Sequence, residues 1–230
     1  MSSSPLAHVS APLLLFTLGL LLYGGYRHMR LLRAELAARM PDFLSRLGYR
    51  VRGDALPAVV YPTGAARGTL DRDFHGVPVV FETGAVVNPG GPPLLRVSWS
   101  APRPPHRSPA GWQLATRVPL QPVVWLRERR RIGDTELDRR FHFRGDPEAL
   151  KATLAADPVL RPLLLGLDWV DLQVSGGRVT FVDSQGRNAT RMLGGSVGVR
   201  FASAEEQLGV HAAMHEQLAE LLARVVRASP

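Results

Sequence analysis

An α+β fold is expected: one N-terminal transmembrane helix, then an antiparallel-sheet domain with two short helices and a long C-terminal amphipathic helix. Three features of the 230-residue chain carry that expectation. An apolar run opens it, hydrophobicity alternates with period two through its middle, and a period of 3.6 closes it.

The apolar run covers Val9 to Tyr26, broken only by Ser10, Pro12 and Thr17. As a helix it spans about 27 Å, close to the hydrocarbon thickness of a bilayer. Seven Leu and Phe16 lie between residues 13 and 22. Each favours insertion by roughly 0.3 to 0.6 kcal/mol, which outweighs Gly19. Pro12 falls in the first turns, where a missing N–H costs least. Tyr23 and Tyr26 close the run, where amphipathic rings suit the headgroup layer. A cleaved signal peptide needs a basic segment before the apolar core and a small-residue site after it. "MSSSPLAH" holds no Lys or Arg, and "YGG" is a poor cleavage site, so the run reads as a retained signal-anchor. Arg27, Arg30 and Arg33 follow it and none precedes it. The positive-inside rule therefore puts residues 1–8 outside and the body in the cytoplasm, at the inner membrane for a bacterial chain.

Residues 27–48 read as a juxtamembrane helix, with Leu31, Leu32, Leu36, Phe43, Leu44 and Leu47 at helical spacing. Pro41 is expected to kink or restart it, and Gly48 to end it as a C′ residue. Residues 49–230 form the soluble domain, with a subdivision near 144–146 left open. Strands are expected at 76–82, 94–100, 112–118, 123–129 and 139–145, being β-branched and aromatic between breakers. His75-Gly76 and Gly133-Asp134 read as hairpin turns. The stretch 100–111, "SAPRPPHRSPAG", is a Pro-rich surface loop.

Helix signals then return. Asp146 is an N-cap, Pro147 fits the first helical position and Glu148 the first-turn dipole. This explains the second of two Arg-Gly-Asp triplets; the first, at 52–54, reads as a turn. Asp157-Pro158 starts another short helix. Residues 168–174 and 178–183 pair as a hairpin around Ser175-Gly176-Gly177, and 196–201 is a further strand candidate. The last helix starts at a Ser203/Glu206 capping box and runs to about Arg227. Leu208, Met214, Leu218, Leu221, Leu222, Val225 and Val226 share one face. Glu205, Glu216, Glu220, Arg224 and Arg227 share the other.

Several chemistries are excluded. With no cysteine there is no disulfide, thiolate nucleophile or Cys-bound zinc. The only lysine, Lys151, follows Leu150, so no phosphate-binding Gly-Lys loop exists. "GGSVG" (194–198) matches a nucleophile elbow around Ser196, but "VRFAS" after it reads extended where a helix is needed. No cofactor is expected.

Two features remain. His211 and His215 lie four apart within the apolar sector of the last helix, where an imidazole needs a hydrogen-bond partner or a ligand. They are weak metal candidates, because "HEQLA" lacks the second His of H-E-x-x-H and no third ligand is marked. The second feature is the basic set Arg127, Arg129, Arg131, Arg139, Arg140 and Arg144. If the flanking strands pair around Ile132-Gly133-Asp134, alternation puts several Arg on one exposed face.

Charge totals +8, with 28 basic and 20 acidic residues. Near an anionic leaflet that charge is favourable. The lipid bilayer, through residues 9–26, is the first expected partner, and an anionic lipid or a protein the second. Nucleic acid is not expected, since no stacking-aromatic module is present. The functional expectation is a single-pass membrane-anchored protein with a non-enzymatic binding or scaffolding domain at the membrane face. One alternative is a membrane-tethered enzyme using His211 or His215. Another is an assembly subunit that forms a homo-oligomer through the apolar face of residues 204–227.

Overall fold

A computed structural model describes residues 6–52, 68–86, 94–104, 111–117, 131–184, 187–188 and 202–229. Within them, the side chains of 6–12, 14, 33, 37, 51, 52, 68, 84–86, 94–96 and 184 lie outside the description. The fold is α+β: one antiparallel sheet with a long C-terminal helix packed on it.

The first helix, α1, spans Leu6–Arg46 without interruption. The helix is not restarted at Pro41, and the spans read as anchor and juxtamembrane helix are continuous with one another. Its end follows from Gly48, which adopts φ 75°. Gly48 N–H donates to Ser45 O at 2.9 Å and Tyr49 N–H to Leu44 O at 3.0 Å, the paired bonds of a Schellman stop. The two ends of α1 differ. Leu32, Leu36, Met40 and Leu44 are buried, whereas the described large apolar side chains from Leu13 to Tyr26 are 53–70% exposed. Among the described residues, no helix is long and apolar enough to cross a membrane. Residues 9–12 and 14 of the expected anchor are outside the described side chains.

Eight strands follow among the described residues: β1 (Arg50–Arg52), β2 (Gly68–Phe74), β3 (Val77–Val86), β4 (Leu94–Pro102), β5 (Trp112–Thr116), β6 (Phe141–Gly145), β7 (Asp171–Ser175) and β8 (Arg178–Ser184). Their order in the sheet is β1-β2-β3-β4-β8-β7-β5-β6, every pair antiparallel. The sheet therefore draws on both sides of residues 144–146 and is not subdivided there. Alternation points one row inward across it: Leu70, Phe81, Trp99, Phe181, Leu172, Leu114 and Phe143. All seven are buried. Two tight turns match their dipeptides. His75 and Gly76 take φ 52° and 79°, and Gly176 and Gly177 take 57° and 74°, left-handed values that suit two-residue hairpins.

The helices α2 (Thr135–Arg140), α3 (Pro147–Ala156), α4 (Leu160–Gly166) and α5 (Ala204–Ala228) complete the order. Asp146 caps α3 with Pro147 at its start, and Ser203 with Glu206 forms the capping box of α5. The apolar face of α5 lies on β2, β3, β4 and β8. Leu218, Leu221 and Leu222 are fully enclosed there. The face expected to join subunits is thus occupied within the chain.

The region around Gly133-Asp134 departs from expectation. It is not a hairpin turn: Asp134 Oδ1 accepts from Glu136 N at 3.0 Å and Leu137 N at 3.1 Å and so starts α2. The Asp138 carboxylate accepts from Ile132 N at 2.7 Å and Gly133 N at 3.1 Å and closes the loop onto the helix. The strand expected at 139–145 begins only at Phe141, and its partner among the described residues is β5. The strands expected at 123–129 and 196–201, the turn at 53–54 and Ser196 lie outside the described residues.

Candidate functional site

The four described members of the basic set do not share one exposed strand face. Arg127 and Arg129 lie outside the described residues. Arg131 and Arg139 are exposed, Arg131 ahead of α2 and Arg139 near its end. Arg140 is turned inward: its guanidinium donates to the carbonyls of Leu165 and Leu167 at the end of α4 and lies 5.6 Å from the Phe141 ring. Arg144 sits half-buried on β6 opposite Gln113. Arg140 is therefore a clamp between α2 and α4.

The two histidines converge on a defined site. Both are buried on α5, His211 4% and His215 0% exposed. Four rings surround the His215 imidazole, with centroids at 4.8 Å for Phe81, 5.3 Å for Tyr49, 5.4 Å for Trp99 and 6.4 Å for Phe43. They come from β3, the third residue after α1, β4 and α1 itself. His215 Nδ1 lies 3.2 Å from Trp99 Nε1 and 3.0 Å from the Tyr49 hydroxyl. An indole N–H can only donate, so Nδ1 is the acceptor and the proton of the neutral ring sits on Nε2. Nε2, and both nitrogens of His211, are buried without a hydrogen-bond partner among the described residues.

The charge beside this box belongs to Arg72. It is an inward residue of β2, buried, with its guanidinium 5.2 Å from the Tyr49 ring and 4.7 Å from the Phe74 ring. It donates to both carboxylate oxygens of Glu216 at 2.9 and 3.1 Å. Burial dominates the electrostatics. It lowers His211 to about 4. It also lowers His215 to about 3, with smaller contributions in the same direction from His211 and Arg72. It raises the Tyr49 phenol to about 12. All three groups are therefore neutral at pH 7.

This site holds neutral imidazoles out of water. Its described donors are poor for a metal: Trp99 and Tyr49 occupy His215 Nδ1. Among the described residues no three His, Asp or Glu converge as a ligand set. A surface cleft of about 410 Å³ is lined by Gly48, Arg50, Asp71, Arg72, Asp73, Pro78, Val79 and Val80. It reaches Arg72, but its lining includes neither histidine.

The histidines were legible as polar positions in an apolar sector. Tyr49, Arg72, Trp99 and Glu216 were not legible as their surroundings. Alternation does point Trp99 inward, yet nothing local pairs it with a residue 116 positions away. No protein-family model, no curated protein and no solved structure matches this chain.

Proposed function

We propose that this is a single-pass membrane-anchored protein whose sheet domain works by binding, not by catalysis, at the membrane face. The observation that carries the reading is the contrast within α1. From Leu13 to Tyr26 its described large apolar side chains point outward around the whole circumference; from Leu32 onward the apolar positions are packed. A helix apolar on all sides is stable only when something apolar covers it. The length of the run from Val9 to Tyr26, the tyrosines at its end and the three arginines after it all fit a bilayer as that cover. The unbroken helix then acts as a stalk, with its far end built into the core. The binding reading draws support from the histidines, the chain's most chemically distinctive pair, which are both buried, His215 among four rings. The partner this placement favours is anionic headgroups or a protein held beside the leaflet.

Flotation of the full chain with liposomes tests the anchor. Wild type is expected to float and to resist extraction at alkaline pH. The double variant Leu18→Arg/Leu21→Arg is expected to stay in the soluble fraction with an unchanged melting temperature, since both side chains lie outside the core. Soluble wild type, or equal flotation of the variant, would overturn the reading.

A further inference from the structure

The stalk, the sheet and α5 meet at His215. Phe43 and Tyr49 reach it from the end of α1, Phe81 and Trp99 from the sheet. Elsewhere α1 is held by aliphatic contacts: Leu32 and Leu36 against Ala204, with Met29 and Leu208 at the margin, and Met40 and Leu44 in the main core. The far half of α5 has independent attachments. Leu218 to Val226 lie in the core, and Arg224 bonds Asp157 at 2.9 Å.

The hydrogen bonding at His215 suits the neutral ring better than the charged one. Protonation makes Nδ1 a donor facing the indole N–H of Trp99, which has no acceptor to offer. The Tyr49 oxygen is the acceptor left to it, and Trp99 and Arg72 already bond there. His211 has no hydrogen-bond partner among the described residues, so a charge there is uncompensated. Charged and titratable groups reach the surroundings of the pair from several elements. Tyr49, after α1, is held neutral; β2 supplies Arg72, of the wrong sign; α5 supplies Glu216, whose two oxygens are already taken by Arg72; and β8 supplies the inward Asp183, whose oxygens are taken by the N–H groups of Arg187 and Asn188. The core side chains presented there by α1, β3 and β4 include Met40, Phe43, Leu44, Val79, Phe81, Val97, Trp99 and Ala101, with Thr83 of β3 a neutral polar one.

We propose that the His211–His215 pair is a proton-operated latch: protonation frees the Met40–Tyr49 end of the stalk from the domain, while the sheet and the far half of α5 stay folded. The proposal does not depend on what covers residues 9–26. The sign agrees with the burial effect. Both imidazoles bind protons less readily in the folded chain than in a released, hydrated one, so acid drives release. Release converts a rigid stalk into a hinge, and the domain can then turn relative to whatever holds the N-terminal segment.

Hydrogen–deuterium exchange of the full chain in detergent micelles tests this, read between pH 7 and about pH 4.5. In wild type the segment 40–49 is expected to lose protection about tenfold or more at the acid end and to regain it on neutralisation. The segments 171–183 and 218–226 are expected to stay protected. His211→Leu/His215→Gln keeps an acceptor for Trp99 and removes both titrating groups, so its 40–49 segment should stay protected throughout. His211→Leu alone, which loses no hydrogen bond, should open at a lower pH than wild type. Three results would overturn the latch: wild type that stays closed, wild type that loses all three segments together, or a His211→Leu protein that opens at the wild-type pH.

Discussion

Asp183 is a carboxyl with no contact with solvent, facing inward from β8. Its oxygens accept from the backbone N–H of Arg187 at 2.9 Å and of Asn188 at 3.3 Å. Asn188 in turn bonds both the N–H and the carbonyl of Trp169, so one carboxyl organises the chain after β8. Burial outweighs these bonds and raises Asp183 to about 6. The sign follows. The folded chain holds this proton more tightly than the unfolded one, so the stability tied to it is complete below pH 3.8 and lost as pH rises to about 6. Asp183→Asn never ionises. Its stability relative to wild type should therefore grow between those limits, by about 2 to 3 kcal/mol at pH 7, less what one lost acceptor costs. Urea denaturation of both proteins at pH 4 and pH 7 reads the difference directly. A difference that does not grow would mean the carboxylate is hydrated or paired. At this scale the sequence marks which residues are unusual, not why. The histidines stood out on the helical wheel, but Asp183 did not, because "RVTFVD" ends in a residue that any strand can expose. Arg140 misled: a sequence run of arginines looks like a surface patch, and only the carbonyls of α4 show that one of them points in.

Elements were legible wherever a cap or turn has its own stereochemistry. Asp146-Pro147, Ser203 with Glu206, His75-Gly76 and Gly176-Gly177 all satisfy backbone groups locally, so a few residues suffice to recognise them. Failures came where two local readings compete. Gly133-Asp134 suits a hairpin turn, but Asp134 is also an N-cap, and Arg161 secures that role by bonding its carboxylate at 2.7 Å. Pro41 sits inside a continuous helix that tertiary contacts on either side, Met40 and Leu44, hold in place. β2 escaped notice because "DRD" breaks the alternation, although Arg72 faces inward as if apolar. One glycine carries a requirement that no local pattern announces. Gly145 has φ 98°, and a Cβ there would lie 2.2 Å from Gly111 O and 2.7 Å from Trp112 Cα, both backbone atoms of the neighbouring strand segment. Asp146 N–H also donates to Gly111 O at 3.1 Å, so the close approach is part of the β5–β6 pairing. Gly145→Ala should cost about 3 kcal/mol or more, well beyond the ~1 kcal/mol of a positive φ alone. Gly48→Ala, with open space around its Cβ, is the control and should show only the smaller loss. Thermal denaturation of the pair separates the two; equal losses would mean that β6 can shift away from β5.

For the whole molecule, strand types and helix positions were readable but the sheet order was not. β4 pairs with β8 and β5 with β7, contacts spanning long stretches of chain that no local pattern encodes. The assembled molecule also gives the stalk a direction. Leu32 and Leu36 meet Ala204 near the start of α5, and Phe43 meets His215 further along it, so α1 and α5 run parallel. Near the other end of α5, Arg227 bonds the carbonyl of His75 in the β2–β3 turn at 2.9 Å. If α1 enters a bilayer through residues 9–26, Ser203 lies at the membrane-proximal end and the β2–β3 turn at the distal one. Which compartment the domain occupies then depends on the flanking charge. Arg27, Arg30 and Arg33 follow the run and no Lys or Arg lies between Met1 and it, a bias that under the positive-inside rule predicts a cytoplasmic flank. A reporter active on only one side, fused after Pro230, should therefore give a cytoplasmic signal. Moving the bias, by Ser2→Arg/Ser3→Arg/Ser4→Arg with Arg27→Ser/Arg30→Ser, should reduce or invert it. An external signal from the unaltered chain would mean that the arginines do not set its orientation, and that partners of the domain belong on the outer face.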